Sequence, residues 1–284
     1  MAVEFVLDDA VKASLSSSTQ KALMLFPQML ANQENMLREY HKDTAPVLFE
    51  RSSVPLDNLK ASTRLIATMY LTKTIYYSRA IIENVNSGNL LVAFQSMRAS
   101  VEVVAAVRYT IKKMQPLIHE CAVRGTVTGE EARQLNDHCD LLLHGGRFDW
   151  ASFFQDGISG ALERKNKIRS KEERRQFGER EHYLKVDTCM KNWSKDQALA
   201  GFAYDYLCDL VHPNKGSNLI IIVEREQGPT FDVEGQKPLG ILIFDKIFAL
   251  FARLCADEFE ELFILFATLG ADEDRIEMPP NWPR

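Results

Sequence analysis

Apolar side chains recur every three or four positions over most of the chain, the spacing of one helix face. Between Asp8 and His41 the stripe is Leu23, Phe26, Met29, Leu30, Met36 and Leu37, and Pro27 either divides this region into two helices or kinks it. After a loop carrying Pro46 and Pro55, a second long helix is predicted from Leu56 to Asn86. Its stripe is Leu65, Ile66, Met69, Tyr70, Ile75, Ile81 and Ile82. Asn86-Ser-Gly-Asn89 is a tight connection, so the next helix is predicted to fold back as the second arm of an antiparallel hairpin.

That next helix, LLVAFQSMRASVEVVAAVRY from Leu90 to Tyr109, is apolar around nearly its whole circumference, the signature of a buried helix. Arg98 and Glu102 nevertheless sit one turn apart on one face of it. An ion pair taken out of water costs several kcal/mol per ion unless partners satisfy it, so the pair is either a structural clamp or part of a site. Arg108 lies at the end of the segment, within reach of solvent, and Pro116 is expected to perturb the helix there.

Thr128-Gly-Glu-Glu131 has the form of a capping box and starts another predicted helix, which runs to about His144 and stops at Gly145-Gly146. Phe148 to Leu162 is aromatic and glycine-containing, without a regular pattern. From Glu163 to His182 the chain is highly charged, with Ser170-Lys-Glu-Glu173 as a cap for a short helix inside it. Ser194-Lys-Asp-Gln197 reads as a second capping box, opening a helix from Gln197 to about Val211 that Pro213 ends. Asn218 to Val223, NLIIIV, is the best strand signal. A turn at Gln227-Gly-Pro229 would return it as a second strand over Thr230 to Val233. One hairpin does not make a sheet protein. A last long helix is predicted over Leu239 to Leu269, followed from residue 271 by an acidic, then proline-rich tail that is either disordered or docked by Trp282. The reading is all-α: one helical domain over residues 1–284, a bundle of long antiparallel helices with a small β-hairpin insertion.

Composition narrows the function classes. With 284 residues and 46% hydrophobic positions the chain has material for a full core, and its net charge of -5 makes the whole molecule a poor electrostatic match for nucleic acid. Binding there needs a local basic patch, and the concentrated one is Arg164, Lys165, Lys167, Arg169, Lys171, Arg174 and Arg175, opposed only by Glu172 and Glu173. Phe177 and Tyr183 stand nearby as stacking groups. The plainer reading of this run is a solvated surface. The acidic N-terminus has no secretory pattern, and the late apolar stretch is interrupted by charges, so a cytoplasmic location without a membrane is expected. Five dispersed cysteines without a CxxC read as reduced thiols in the core. His138, Asp140 and His144 make a poor metal set, because the two histidines do not share a helical face. No Gly-rich phosphate loop, HExxH or GxSxG is present, and no cofactor is expected.

The candidate chemistry lies in Arg98 and Glu102 together with Ala203 to Asn214, AYDYLCDLVHPN. His212 falls in the last helical turn, where the negative end of the helix dipole favours the imidazolium. Asp205 and Tyr206 stand about two turns earlier. If the two helices pack together, Arg98 and His212 hold a phosphate, and His212 moves a proton with Glu102 and Tyr206 orienting it. The competing reading is a satisfied buried network that fixes helix register.

SMRASVEVV followed later by YDYLCDLVHPN resembles bacterial helical proteins of the HEPN-like class, the higher-eukaryote and prokaryote nucleotide-binding superfamily and its relatives. Those relatives pair an RxxxE helix with a Y-x-x-L-S/C-x-x-x-H-P helix end, here Arg98 and Glu102, then Tyr204, Leu207, Cys208, His212 and Pro213. Tyr206 is outside that pattern. The resemblance covers roughly Leu56 to Ser217, and RxxxE recurs as Arg79 and Glu83. It implies metal-independent RNA cleavage in a toxin or antiphage setting, or in other members binding and scaffolding alone. Nuclease members carry an Arg and, after a short spacer on the same helix, a His. Arg133 with His138 fits this in part, as does Arg175 with His182, but Gln134 and Gln176 follow the arginines where Asn, Asp or His is usual. The leading expectation is therefore a HEPN-like RNA-binding or RNA-cleaving protein, acting as a homo-oligomer or with a helical partner. The rival is a non-enzymatic interaction or scaffold protein with a structural charge network.

Overall fold

The computed structural model describes residues 8–43, 53–144, 154–155, 157–159, 184–213 and 215–269. In chain order the elements are α1 (Asp9–Ala13), α2 (Ser17–Asp43), α3 (Pro55–Asn86), α4 (Leu90–Arg124), α5 (Gly129–His144), α6 (Val186–Asp196), α7 (Ala198–Val211), α8 (Lys215–Leu219), β1 (Ile222–Arg225), β2 (Gly228–Phe231) and α9 (Val233–Leu269). The protein is an all-α bundle, with one two-stranded antiparallel hairpin among the described residues.

Helix α4 is the axis of the bundle. It packs against α3, α5, α6, α7 and α9, which is why it is apolar on almost every side. Phe94, Met97, Val101, Ala105 and Met114 on it are completely covered or nearly so. Its length and hydropathy alone would let it cross a bilayer, but here the same surface is taken up by its neighbours. The helix runs through Pro116 to Arg124 instead of ending near it. Pro116 and Lys112, whose carbonyl the ring deprives of a partner, both lie on the exposed side of the helix, open to solvent.

The α3–α4 hairpin forms as predicted. Gly88 takes the left-handed conformation that the tight reversal needs, φ 76°, and the amide of Ser87 closes α3 on the carbonyl of Glu83 at 3.0 Å. The first break in the chain falls at Ser14–Ser16 rather than at Pro27, through which the backbone of α2 continues. Ser16 is the reason: its hydroxyl accepts from the amide of Thr19 (3.4 Å), and its amide and hydroxyl both donate to Asp245 on α9 (2.8 and 2.7 Å).

The Thr128–Glu131 capping box is present in both directions. The Thr128 amide donates to Glu131 Oε2 at 2.8 Å, and the Glu131 amide donates to Thr128 Oγ1 at 3.3 Å. Arg124, the last residue of α4, pairs with the same carboxylate at 2.5 Å. The arginine and the two Thr128 donors hold the Glu131 carboxyl down to about 2, from an ordinary 4.5. A depressed folded pKa stabilises above the unfolded value, and that stability drains away as pH falls from about 4.5 through about 2. Glu131→Gln is therefore expected to lower the urea midpoint at pH 7 and to flatten its acid decline between pH 4.5 and 2; an unchanged profile would contradict the linkage.

Three predicted boundaries shift. Ser194 does not cap a helix; it lies inside α6 and donates back to the carbonyl of Met190 at 2.7 Å. Gln197 is the hinge between α6 and α7, extended at φ -144° and ψ 93°, and its side chain accepts from the Trp193 indole at 3.2 Å. The strand signal slides toward the C-terminus. Asn218 and Leu219 complete α8, Ile220 is buried in the core, and pairing starts at Ile222 opposite Phe231 and ends at Arg225 opposite Gly228. Helix α9 begins six residues before Leu239, because Asp232 caps it: its Oδ1 accepts from the Gly235 amide at 2.8 Å, and its Oδ2 accepts from Arg225 at 2.8 Å. Pro238 falls early in that helix.

Candidate functional site

Helices α4 and α7 pack side by side. Arg98 pairs with Glu102 at 2.9 Å, its side chain 18% exposed and that of Glu102 27%. The hydroxyl of Tyr204 donates to the same Glu102 oxygen at 3.2 Å, and the Arg98 guanidinium stands 5.8 Å from the centre of the Tyr204 ring. The tyrosine that meets the pair is thus Tyr204. Tyr206 points elsewhere on α7, half-buried against the core and stacked on the exposed Phe202 with ring centres 6.1 Å apart.

Tyr204 and Cys208 stand at i and i+4 on one side of α7, and His212 follows just past its last turn. Burial works against the Arg98 charge, but the hydrogen bond with Tyr204 and the Glu102 carboxylate outweigh it and hold the guanidinium firmly charged. Burial pushes the Tyr204 phenol up, the Glu102 charge adds to this, and the hydrogen bond with Arg98 only partly opposes it; Tyr204 remains a donor at neutral pH. The Cys208 thiol is also raised, chiefly by burial, which disfavours the thiolate needed for nucleophilic chemistry. Arg98 Nε is buried and has no hydrogen-bond partner among the described residues.

His212 closes α7. Its amide donates to the Cys208 carbonyl at 3.0 Å, and its own carbonyl accepts from the Ser217 hydroxyl at 2.5 Å. Its backbone is extended, φ -76° and ψ 160°, the conformation favoured before Pro213, and its side chain is exposed. The structure therefore brings Arg98, Glu102, Tyr204 and Cys208 into one cluster and sets His212 just past the last turn of α7, exposed to solvent.

Asp205 is exposed on α7, and its charge reaches the Cys208 thiol one turn on. Arg133 and His138 lie apart from this cluster on α5. Arg133 is exposed and pairs locally with Glu130 at 3.2 Å. His138 is half-buried, and burial, helped by Lys113 and opposed by Asp137, lowers its pKa and favours the neutral ring. Lys165, Lys167, Arg169, Lys171, Arg174 and Arg175 lie outside the described residues, as do Phe177, His182 and Tyr183. Among the described residues no group of His, Cys, Asp and Glu is arranged to hold a metal ion.

A second charge network is one that the sequence did not reveal. Arg108 does not end in solvent: its Nε donates to both oxygens of Glu258 on α9, at 3.0 and 3.1 Å, and its Nη1 donates to Asp196 at the end of α6, at 2.9 Å. Lys112, one turn on, donates to the same Asp196 at 2.7 and 2.9 Å. The Lys112 and Arg108 hydrogen bonds hold the Asp196 carboxyl below the usual range. The network ties α6 and α9 to the axis helix. Arg108 and Lys112, at i and i+4, share one side of the axis helix, but that spacing does not name Asp196 or Glu258 as their partners.

Comparison of the chain with protein-family models, with curated proteins and with solved structures gives no match.

Proposed function

We propose that this is a HEPN-like helical protein that binds RNA and cleaves it without a metal, with the Arg98–Glu102–Tyr204 cluster and the exposed His212 as its working groups. The reading is supported above all by one observation. Residues of two short motifs, far apart in sequence, meet side by side: the Arg98–Glu102 pair on α4 and Tyr204 on α7, whose C-terminal end is closed by His212. A structural clamp normally satisfies its buried donors, whereas Arg98 Nε has no partner among the described residues. In the proposed reaction the 2′-hydroxyl of a nucleotide attacks the adjacent phosphorus and gives its proton to His212, while the P–O5′ bond breaks to leave a 2′,3′-cyclic phosphate and a 5′-oxygen that takes a proton from water or from the His212 imidazolium. Arg98, oriented by Glu102 and Tyr204, offers positive charge to the phosphate.

The test is incubation of the purified protein with total RNA in EDTA. Cleavage is expected, with His212→Ala reducing the rate by roughly 10²–10⁴-fold while leaving binding largely intact, since a proton-transfer group matters most in the transition state. Changing Lys165, Lys167, Arg169 and Lys171 to Gln is expected to weaken binding and to reduce the log–log salt slope by about 0.7 for each single-strand phosphate that is no longer neutralised. Intact RNA and no binding at low salt would reject the reading.

The alternative, a non-enzymatic interaction or scaffold protein, is favoured by a different observation. Arg98, Glu102 and Tyr204 bond chiefly to one another, as a register-fixing network does. It predicts that the protein neither cuts nor binds RNA and that His212→Ala is silent.

A further inference from the structure

Helix α7 runs back along α4. Asp196, two positions ahead of α7, meets Arg108 and Lys112; Tyr204 meets Glu102; and Cys208 falls near the Arg98 charge. Apolar packing specifies the register of this run weakly at its start. The buried side chains there are Ala200 and Ala203, and Leu207 follows only beyond Tyr204. Alanines offer no large knob to catch in the grooves of a facing helix. Asp196 supplies a sharper mark. Lys112 donates to both of its oxygens, at 2.9 and 2.7 Å, and Arg108 Nη1 donates to Oδ2 at 2.9 Å while its Nε is held by Glu258. Asp196 is the last residue of α6, an end where the helix dipole disfavours a carboxylate, so α6 itself does not account for its place. The spacing also closes. Arg108 to Glu102 on α4 and Ala198 to Tyr204 on α7 are runs of equal length, about 9 Å of helix rise each.

We infer that Asp196 is a positioning residue of the α4–α7 site: clamped by Arg108 and Lys112, it fixes where α7 starts along α4 and so delivers Tyr204 to Glu102. A shift of α7 by one position turns the side chain that faces α4 by about 100° around the helix axis, which takes the Tyr204 hydroxyl off the carboxylate. Glu102 then keeps Arg98 alone, and the guanidinium loses the ring and the hydroxyl that orient it. Fixing register is the best-attested use of a charged contact between packed helices, more so than adding stability. The consequence for RNA rests on the reading proposed above, whereas the placement of Tyr204 does not.

Nuclear magnetic resonance of the full chain, with tyrosine carrying carbon-13 at the ring ζ position, follows this contact directly. The chain has eight tyrosines, and Tyr204→Phe identifies the signal of Tyr204. Asp196→Ala is expected to move that signal toward the position of free tyrosine while the protein stays folded. Lys112→Gln, which leaves the Arg108 contact, is expected to move it part of the way. Asp196→Glu keeps the charge and is expected to hold it near the wild-type position. Arg225→Gln breaks a surface ion pair of the hairpin and serves as the control, expected to leave the signal unmoved. A residue that only adds stability would lower the denaturation midpoint without moving the signal. In the RNA assay Asp196→Ala is expected to lower kcat by roughly tenfold or more with KM little changed, since Arg98 is misplaced and not removed. The inference is overturned if the Tyr204 signal of folded Asp196→Ala coincides with that of the wild type, or if Asp196→Glu moves it as far as alanine does. If Asp196→Ala does not fold, an unmoved signal in Lys112→Gln overturns it equally. Where the wild type cleaves RNA, an unchanged kcat in Asp196→Ala overturns it too. Wild-type protein that leaves RNA intact rejects the RNA reading alone, and the labelled signal still decides the role of Asp196.

Discussion

Phe248→Ala is expected to cost about 3–5 kcal/mol of unfolding free energy, the largest single effect in the bundle. Phe248 is completely buried on α9. Its ring lies 4.9 Å from that of Phe244, stacked at 26°, and 5.9 Å from that of Phe251, tilted at 45°; Phe244 in turn meets Phe94 of the axis helix at 6.3 Å. The alanine variant forgoes the transfer free energy of the ring and leaves a cavity that rigid helices on several sides cannot close. Each ring pair adds about 0.5–1.5 kcal/mol beyond buried area, which places the effect toward the upper end. Phe248→Leu, which refills most of the volume, should recover more than half. Phe231→Ala, at a position 82% exposed on β2, should stay within about 0.5 kcal/mol. Urea titrations of the three variants decide it; a loss under about 1 kcal/mol at Phe248 would mean that α9 does not pack on α4 through these rings.

Glu102→Ala is expected to rank second. Removing one member of a buried pair leaves the other charge uncompensated, worth roughly 3–5 kcal/mol at full burial. Here Glu102 keeps about a quarter of its side chain in contact with solvent, and Arg98 somewhat less, so water screens part of the effect. A value of about 2–3 kcal/mol follows. Tyr204 is left without its acceptor as well. Glu102→Gln, which retains an oxygen for Tyr204 but not the charge, should fall between alanine and wild type. Arg133→Ala, at a residue paired with the exposed Glu130 on its own helix, should be close to neutral. Equal chemical-denaturation midpoints for Glu102→Ala and Arg133→Ala would show that the α4 pair contributes nothing to the fold.

Local pattern determined the helices and most of their partners in sequence. The stripes of α3 and α4, the Asn86–Asn89 reversal and the Thr128–Glu131 box are interactions among residues within a few positions of one another, and such interactions form without help from the rest of the chain. The oddity of Arg98 and Glu102 in an apolar helix was equally plain, because it needs no partner to be noticed. What local pattern could not supply was the choice between competing local solutions. Ser194-Lys-Asp-Gln197 has the residues of a capping box, yet Trp193 is buried and draws Gln197 to its indole, leaving Ser194 to bond backward within α6. Ile220 belongs by composition to a strand, but the core takes its side chain and pairing begins two residues later.

The candidate site divides along the same line. That the out-of-place polar groups fall on α4 and toward the end of α7 was legible from residue types and spacing. That Tyr204 and not Tyr206 meets Glu102 was not, because two positions on a helix differ by more than half a turn and only the packing of α7 on α4 selects between them. The Arg108–Asp196–Glu258 network lay beyond reach for a stronger reason: its members stand 88 and 150 positions apart. Nothing within the short span of a helical turn constrains such a pair. Contacts between residues that distant are decided only when the helices dock and the charges left in the interface must find each other or remain unsatisfied.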